Sequence, residues 1–302
     1  MILSRRDFLN ACKVSSVALG LSALNIIKLQ ELLANPNAPT ILWLQGTGCT
    51  GCTVSFLNYV SATAPLNVAD LLINDVNLAY HTTAMAAVAD SGVEAIDAAY
   101  AKGGYILAVE GGVPSAFGGH TCVAWSRNGA ETTFLDAVTM LAARASKILC
   151  IGTCASWGGV AAAPPNPTSV LGVGSATGRS TINIGGCPPH PNWVVWTIAN
   201  LLLGNAIALD SNGRPTTLFA QTVHDICPRR ETDETNTYGQ DNRCLKELWC
   251  TGPGTRGNCP SIKWNNQTNW CVDANSPCIG CTEPFFPNYT LRGTGENPLG
   301  ED

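Results

Sequence analysis

Eight side chains able to bind soft or borderline metals crowd one short stretch of this chain. They are spaced His224-x2-Cys227, Cys244-x5-Cys250, Cys259, Cys271 and Cys278-x2-Cys281. Seven thiols and an imidazole make two sets of four, the number that usually holds an iron–sulfur cluster or a structural zinc. The stretch has few large apolar residues and reads as almost all loop. It cannot build much core, so inorganic groups or disulfides must hold it together.

Four more cysteines lie earlier. Cys49 and Cys52 sit inside Gly46-Thr47-Gly48-Cys49-Thr50-Gly51-Cys52. Cys154 and Cys187 each follow an apolar run that reads as a strand. In an open parallel sheet, ligands bind beyond the carboxyl ends of the strands, and four thiols from three loops would converge there. The glycines let backbone amides approach, and such N–H groups stabilise a negatively charged thiolate cluster. A redox dithiol at Cys49-x2-Cys52, a zinc site and exported disulfides are the competing readings. Adding these four to the eight gives twelve ligands, enough for three four-ligand clusters. Cys12, Cys122 and Cys150 are left over, the last two as small core residues.

The elements that must position the first set alternate between strand and helix. Ile41–Gln45, Leu71–Tyr80, Tyr105–Val109, Lys147–Gly152 and Thr181–Ile184 read as strands. Cys52–Val60, Thr83–Ala101, Glu131–Ala145 and Asn192–Leu203 read as helices, and Ala161–Gly178 as a long loop. Alternation of this kind predicts a parallel sheet with helices on both faces, an α/β doubly wound fold. It stops after Ser211. Three segments are expected: 1–38 as an export signal, 39–210 as the sheet domain, and 211–302 as a loop-rich cluster domain with little regular structure.

Composition narrows the function. The chain has 302 residues, 45% hydrophobic and only 13% charged, with net charge −5. So few charges imply a large surface hidden against a partner, and the acidic balance argues against nucleic acid. Ser4-Arg5-Arg6-Asp7-Phe8-Leu9, followed by an apolar stretch from Val14 to Ile27, reads as a twin-arginine export signal. That route carries folded proteins, which suits pre-assembled metal clusters better than disulfides. The expected location is the periplasm, with no membrane anchor after Cys281.

Taken together, these motifs resemble the small, electron-transferring subunit of nickel–iron hydrogenases. The resemblance runs from about Ile41 to Pro287. It rests on Trp43-Leu44-Gln45-Gly46 before Cys49-Thr50-Gly51-Cys52, on Glu110-Gly111-x2-Pro114 and on Gly152-Thr153-Cys154. It continues through Gly186-Cys187-Pro188-Pro189-His190-Pro191, His224-x2-Cys227 and Pro277-Cys278-Ile279-Gly280-Cys281-Thr282-Glu283-Pro284. It implies a flavodoxin-like domain carrying a proximal 4Fe-4S cluster on Cys49, Cys52, Cys154 and Cys187. A distal 4Fe-4S cluster would sit on His224, Cys227, Cys244 and Cys250, and a medial one on Cys259, Cys278 and Cys281. The Ni-Fe centre that splits hydrogen would lie in an obligate large-subunit partner. Electrons would pass to an external carrier such as a multihaem cytochrome c or a membrane redox subunit.

Departures from the family pattern sharpen the reading. Many members have Pro where this chain has Cys271 and hold a 3Fe-4S medial cluster. A fourth thiol permits a 4Fe-4S cubane, the pattern of the nickel–iron–selenium subtype. Gly51 and Gly159 stand where oxygen-tolerant members carry extra cysteines, so an ordinary proximal cubane is expected. Val54 and Gly48 replace carboxylates common near that cluster. Glu110 is either a residue facing the proximal cluster and the large subunit or a loop acid capping amides. His190 reads as structural, and His81 and His120 carry no expected role. The competing function is an iron–sulfur electron-transfer subunit of another exported redox complex. Resemblance to the iron–sulfur subunit of respiratory complex I is confined to the first domain.

Overall fold

The computed structural model describes residues 40–60, 67–68, 78–85, 87, 89–240 and 242–287. The export motif, Cys12 and most of the expected strand Leu71–Tyr80 lie outside them. Five parallel strands form the central sheet: β1 (Ile41–Gln45), β2 (Leu78–His81), β3 (Ile106–Glu110), β4 (Lys147–Ile151) and β5 (Ile182–Ile184). Their spatial order is β2-β1-β3-β4-β5. That is the flavodoxin-type order, with its switch point between β1 and β3.

Both faces of the sheet are covered, which is why its strands are apolar runs rather than alternating ones. Ile41, Trp43, Ile106, Ala108, Leu149 and Ile151 face one way, onto α6 (Pro191–Leu202). Leu42, Leu44, Leu107, Val109, Ile148 and Cys150 face the other, onto α2 (Asp90–Lys102) and α3 (Phe134–Arg144). The remaining helices are α1 (Gly51–Leu57), α4 (Thr153–Trp157) and α5 (Val173–Thr177). α6 begins with Pro191 at its first turn, and the His190 ring accepts the Asn192 N–H as its cap. It buries Trp193, Val194, Val195, Ile198 and Leu202. Each such side chain contributes roughly 1.5–3 kcal/mol relative to exposure.

Three expected boundaries move. The helix expected from Thr83 begins at Asp90. The buried His81 ring takes the N–H groups of Thr83 and Ala84 at 3.0 and 3.1 Å, turning the chain, and Ala89 has φ 51°. The helix expected from Glu131 begins at Phe134, because Ala130–Thr133 pairs with Val123–Arg127 as a hairpin. Its turn is Asn128-Gly129, both at positive φ, the commonest two-residue hairpin signal. Thr133 then caps the helix by accepting the Asp136 N–H at 3.1 Å. The expected loop Ala161–Gly178 contains α5 and a short strand, Val170–Leu171, paired with Val113–Pro114.

Beyond α6 only short turns of helix remain among the described residues, such as Thr216–Phe219, Lys246–Leu248 and Cys259–Ile262. Leu218 and Phe219 join the core on the α6 face of the sheet. Farther on, Val223, Leu245, Leu248, Trp270, Val272 and Cys278 form a small cluster of their own, with Cys227, Cys250 and Cys259 packed against it. Cysteines are thus a large part of the interior of this region. No helix among the described residues is long and apolar enough to cross a membrane.

Candidate metal centres

The carboxyl edge of the sheet gathers the first four thiols. Cys49 and Cys52 leave β1 at the start of α1, Cys154 lies in α4 after β4, and Cys187 follows β5. Burial, then Glu110 and the thiols of Cys154, Cys187 and Cys49, push the Cys52 thiol well above its ordinary range. Burial with Cys154 and Cys49 pushes Cys187 to about 11. The backbone closes tightly around this set. A Cβ on Gly152, which has φ 89°, would come within 2.4 Å of the Cys52 sulfur. Cys49 and Cys187 remain open to solvent, as do the nearby apolar side chains Val54, Leu57 and Val160.

Glu110 ends β3 and is buried, at 1% exposure, on the side facing this set. One carboxylate oxygen accepts the Trp43 indole N–H at 3.1 Å and also the Thr53 hydroxyl. The other, Oε1, is buried with no hydrogen-bond partner among the described residues. Its charge raises both Cys52 and Cys154. Glu110 therefore caps side chains rather than the backbone amides that were the alternative expectation. Trp43 in turn stacks on His81, with ring centres 4.9 Å apart.

Cys259, Cys271, Cys278 and Cys281 line one cavity of about 310 Å³. Trp193, Trp264 and Trp270 share its wall, and Cys187 of the first set reaches it too. Burial and then Cys278 and Cys271 raise the Cys259 thiol. Cys281 is raised well above normal by burial, Cys259 and Cys278. Metal-free thiols in such surroundings are neutral, so a bound cation must displace their protons.

His224, Cys227, Cys244 and Cys250 come together on the far side. Cys244 lies close enough to Cys227, and Cys227 to Cys250, for each to disfavour its neighbour's thiolate. The Cys227 N–H donates to the His224 carbonyl at 3.2 Å, and Gly252 lies against both Cys250 and His224. Burial and then Cys278 push Cys250 to about 11. Among the described residues, no three His, Cys, Asp or Glu side chains close around a single metal ion.

The leftover cysteines sit elsewhere. Cys150 is fully buried in β4, its thiol bonded to the Thr181 side chain and pushed up to about 12 by burial. Cys122 is half-buried against Thr47. His190 is a latch: besides capping α6, its Nε2 meets the Lys263 carbonyl at 2.7 Å.

Sequence reasoning missed the groups that tie the sets together. The Thr153 hydroxyl donates to the Cys281 carbonyl and accepts the Gly186 N–H at 2.9 Å. The Thr251 hydroxyl and its backbone N–H both donate to the Cys278 carbonyl, each at 2.8 Å. Arg214 is buried and pairs with Asp210 at 2.8 Å and Glu283 at 2.7 Å. The threonines and the Arg214–Glu283 pair had no sequence signal, since their partners lie far away in the chain.

Fold and sites together define an α/β protein with sets of thiols placed for inorganic groups at a sheet edge and in a loop-built extension. Two families match it in succession. The family described as NADH ubiquinone oxidoreductase, 20 Kd subunit, matches residues 49–201. The family of the C-terminal part of NiFe/NiFeSe hydrogenase small subunits matches residues 219–291. The periplasmic NiFe hydrogenase small subunit of Solidesulfovibrio fructosivorans is 38% identical over 293 residues, spanning 94% of this chain and 90% of the relative. The periplasmic NiFeSe hydrogenase small subunit of Desulfomicrobium baculatum is 32% identical over 312 residues, spanning 95% and 97%. The solved NiFeSe hydrogenase from Desulfovibrio vulgaris Hildenborough matches with TM-score 0.77 and 35% identity, covering 84% of this chain and 96% of that one. The chain belongs to the family of NiFe and NiFeSe hydrogenase small subunits, and is a subunit of a hydrogenase.

Proposed function

We propose that this chain is the electron-relaying subunit of a periplasmic hydrogenase and holds three iron–sulfur clusters in series. Residues 1–38 would direct export by the twin-arginine route, 39–210 form the sheet domain, and 211–302 form the cluster domain. Cys49, Cys52, Cys154 and Cys187 would hold the proximal cluster. Cys259, Cys271, Cys278 and Cys281 would hold the medial one, and His224, Cys227, Cys244 and Cys250 the distal one. Iron–sulfur clusters supply one-electron storage at potentials set by charge, hydrogen bonds to sulfur and exposure.

The observation that carries this reading is the medial cavity, where four cysteines from three segments of the chain line one volume, partly open to solvent, that is walled by tryptophan. That donor set is the one soft metals select. The residues of the chain bind, orient and exclude water; hydrogen is split on a separate large subunit. The open thiols and exposed Val54, Leu57 and Val160 give that subunit an apolar surface beside the first set. Obligate interfaces are large and apolar in this way. His224 replaces one thiolate by a neutral ring at the end facing the external carrier, a multihaem cytochrome c or a membrane redox subunit. The place of Cys271 in the same cavity as Cys259, Cys278 and Cys281 supports it as the fourth ligand.

Iron and sulfide analysis of the anaerobically purified complex tests the assignment. Three four-iron clusters require about twelve iron atoms per chain. A colourless chain containing zinc or disulfides would overturn it.

A further inference from the structure

Each neighbouring pair of ligand sets is joined by one backbone amide close to one sulfur. The Cys187 backbone amide lies close to the Cys281 sulfur, and both residues line one cavity, linking the first set to the second. The Cys278 N–H donates to the sulfur of Cys250 at 3.3 Å, linking the second to the third. In both cases amide and sulfur belong to ligand residues of adjoining sets.

A threonine hydroxyl holds each of these contacts. Thr153, next to Cys154, donates to the Cys281 carbonyl while accepting the Gly186 N–H. That clamps the main chain of Cys281 against the Gly186–Cys187 turn, so the Cys187 amide stays close to the Cys281 sulfur. Thr251, next to Cys250, donates twice to the Cys278 carbonyl, which fixes the orientation of the Cys278 main chain toward Cys250. Gly185 makes the first seam close: a Cβ there would lie 2.5 Å from the Thr282 carbonyl oxygen. Both threonines are buried.

We propose that Thr153 and Thr251 are positioning residues that hold these two amide-to-sulfur bridges as the paths by which electrons cross between neighbouring sets. The proposal rests on the cluster assignment above. In each crossing one electron leaves one set, which is oxidised, and arrives at the next, which is reduced. No bond forms or breaks and no proton moves. An N–H donated to a ligand sulfur also favours the more negative, reduced state and raises the potential at that set. Thr153 therefore acts on the set containing Cys281, and Thr251 on the set containing Cys250.

The test uses the intact complex, purified anaerobically, with Thr153→Val, Thr153→Ser, Thr251→Val and Thr251→Ser. Redox titration followed by electron paramagnetic resonance reads each set separately, and freeze-quench sampling reads electron arrival. Thr153→Val should lower the potential only at the Cys281 set and slow the first crossing about tenfold, the lower end of what losing an outer-shell partner costs. Thr251→Val should do the same at the Cys250 set and the second crossing. Serine should restore both. Unchanged potentials and rates in the valine variants, or equal changes with valine and serine, overturn the proposal. If a valine variant assembles without iron, Gly185→Ala decides. It spreads the first seam while keeping both hydroxyls, so the first crossing alone should slow, and a wild-type rate overturns the proposal. Iron-free wild type would instead sink the cluster assignment itself, whereas loaded wild type with indifferent valine variants sinks only the bridges.

Discussion

Arg214 and Glu283 form a buried ion pair, Nη1 to Oε1 at 2.7 Å, between the end of the sheet region and the last cysteine motif. The same Glu283 oxygen accepts the Arg256 N–H at 2.6 Å, and the Arg214 guanidinium lies over the Phe219 ring. Removing one partner of a buried pair leaves an uncompensated charge and costs about 3–5 kcal/mol. Arg214→Met, which strands the buried Glu283 carboxylate, should destabilise the complex by that order in chemical denaturation, and Glu283→Gln by less, because Asp210 still pairs with Arg214 at 2.8 Å. A loss under about 1 kcal/mol in Arg214→Met, typical of an exposed pair, would contradict the arrangement.

Glu110→Gln keeps an oxygen for Trp43 and Thr53 but removes the negative charge that acts on Cys52 and Cys154. The group held by the first set should then be easier to reduce, with its potential shifted positive and its iron retained. Redox titration with spectroscopic detection reads this directly. An unmoved potential would mean that Glu110 only anchors Trp43.

Cys271 faces the medial cavity with Cys259, Cys278 and Cys281. Cys271→Pro should convert a four-iron cluster to a three-iron one. A new three-iron signal should appear in the paramagnetic resonance spectrum of the oxidised protein. The same signal already strong in anaerobic wild type would show that Cys271 is not a ligand.

Two buried histidines set a pH dependence. Burial depresses both His81 and His190 to about 4, from an ordinary value of 6.5. The unfolded chain then binds more protons than the folded one between those values, so stability falls as pH drops from about 6.5 toward 4. Each histidine should cost about 2 kcal/mol by pH 5. His81→Gln should flatten part of this slope in denaturation series from pH 7.5 to 5; an unchanged slope would place the loss elsewhere.

The sheet was legible because its strands are apolar runs set between helical segments, and the first four cysteines were legible because they follow those strands. Boundaries slipped where a local competitor intervened. The His81 ring took two amides from the expected helix, and Asn128-Gly129 built a hairpin where helical composition dominated. Within the loop-built region, spacing alone left the grouping of eight candidate ligands open, and only the resemblance separated them. The hydroxyls of Thr153 and Thr251 were invisible in the sequence, since any threonine reads alike until its distant carbonyl is in place.

Cys49 leaves the first strand of the sheet and Cys187 follows the last, so the first set spans nearly the whole sheet domain in the chain. The second and third sets lie wholly within the stretch His224–Cys281. Any group needing all four thiols of the first set can be seated only after β5 has docked on β4. Maturation thus has a built-in sequence of events: the sheet must be complete before any group on its edge can be captured, and the second set, whose cavity is walled by Trp193 and Cys187, waits for the sheet as well. Interrupted synthesis short of Cys187 should yield a product unable to retain iron at its sheet edge, however well its first strands pair.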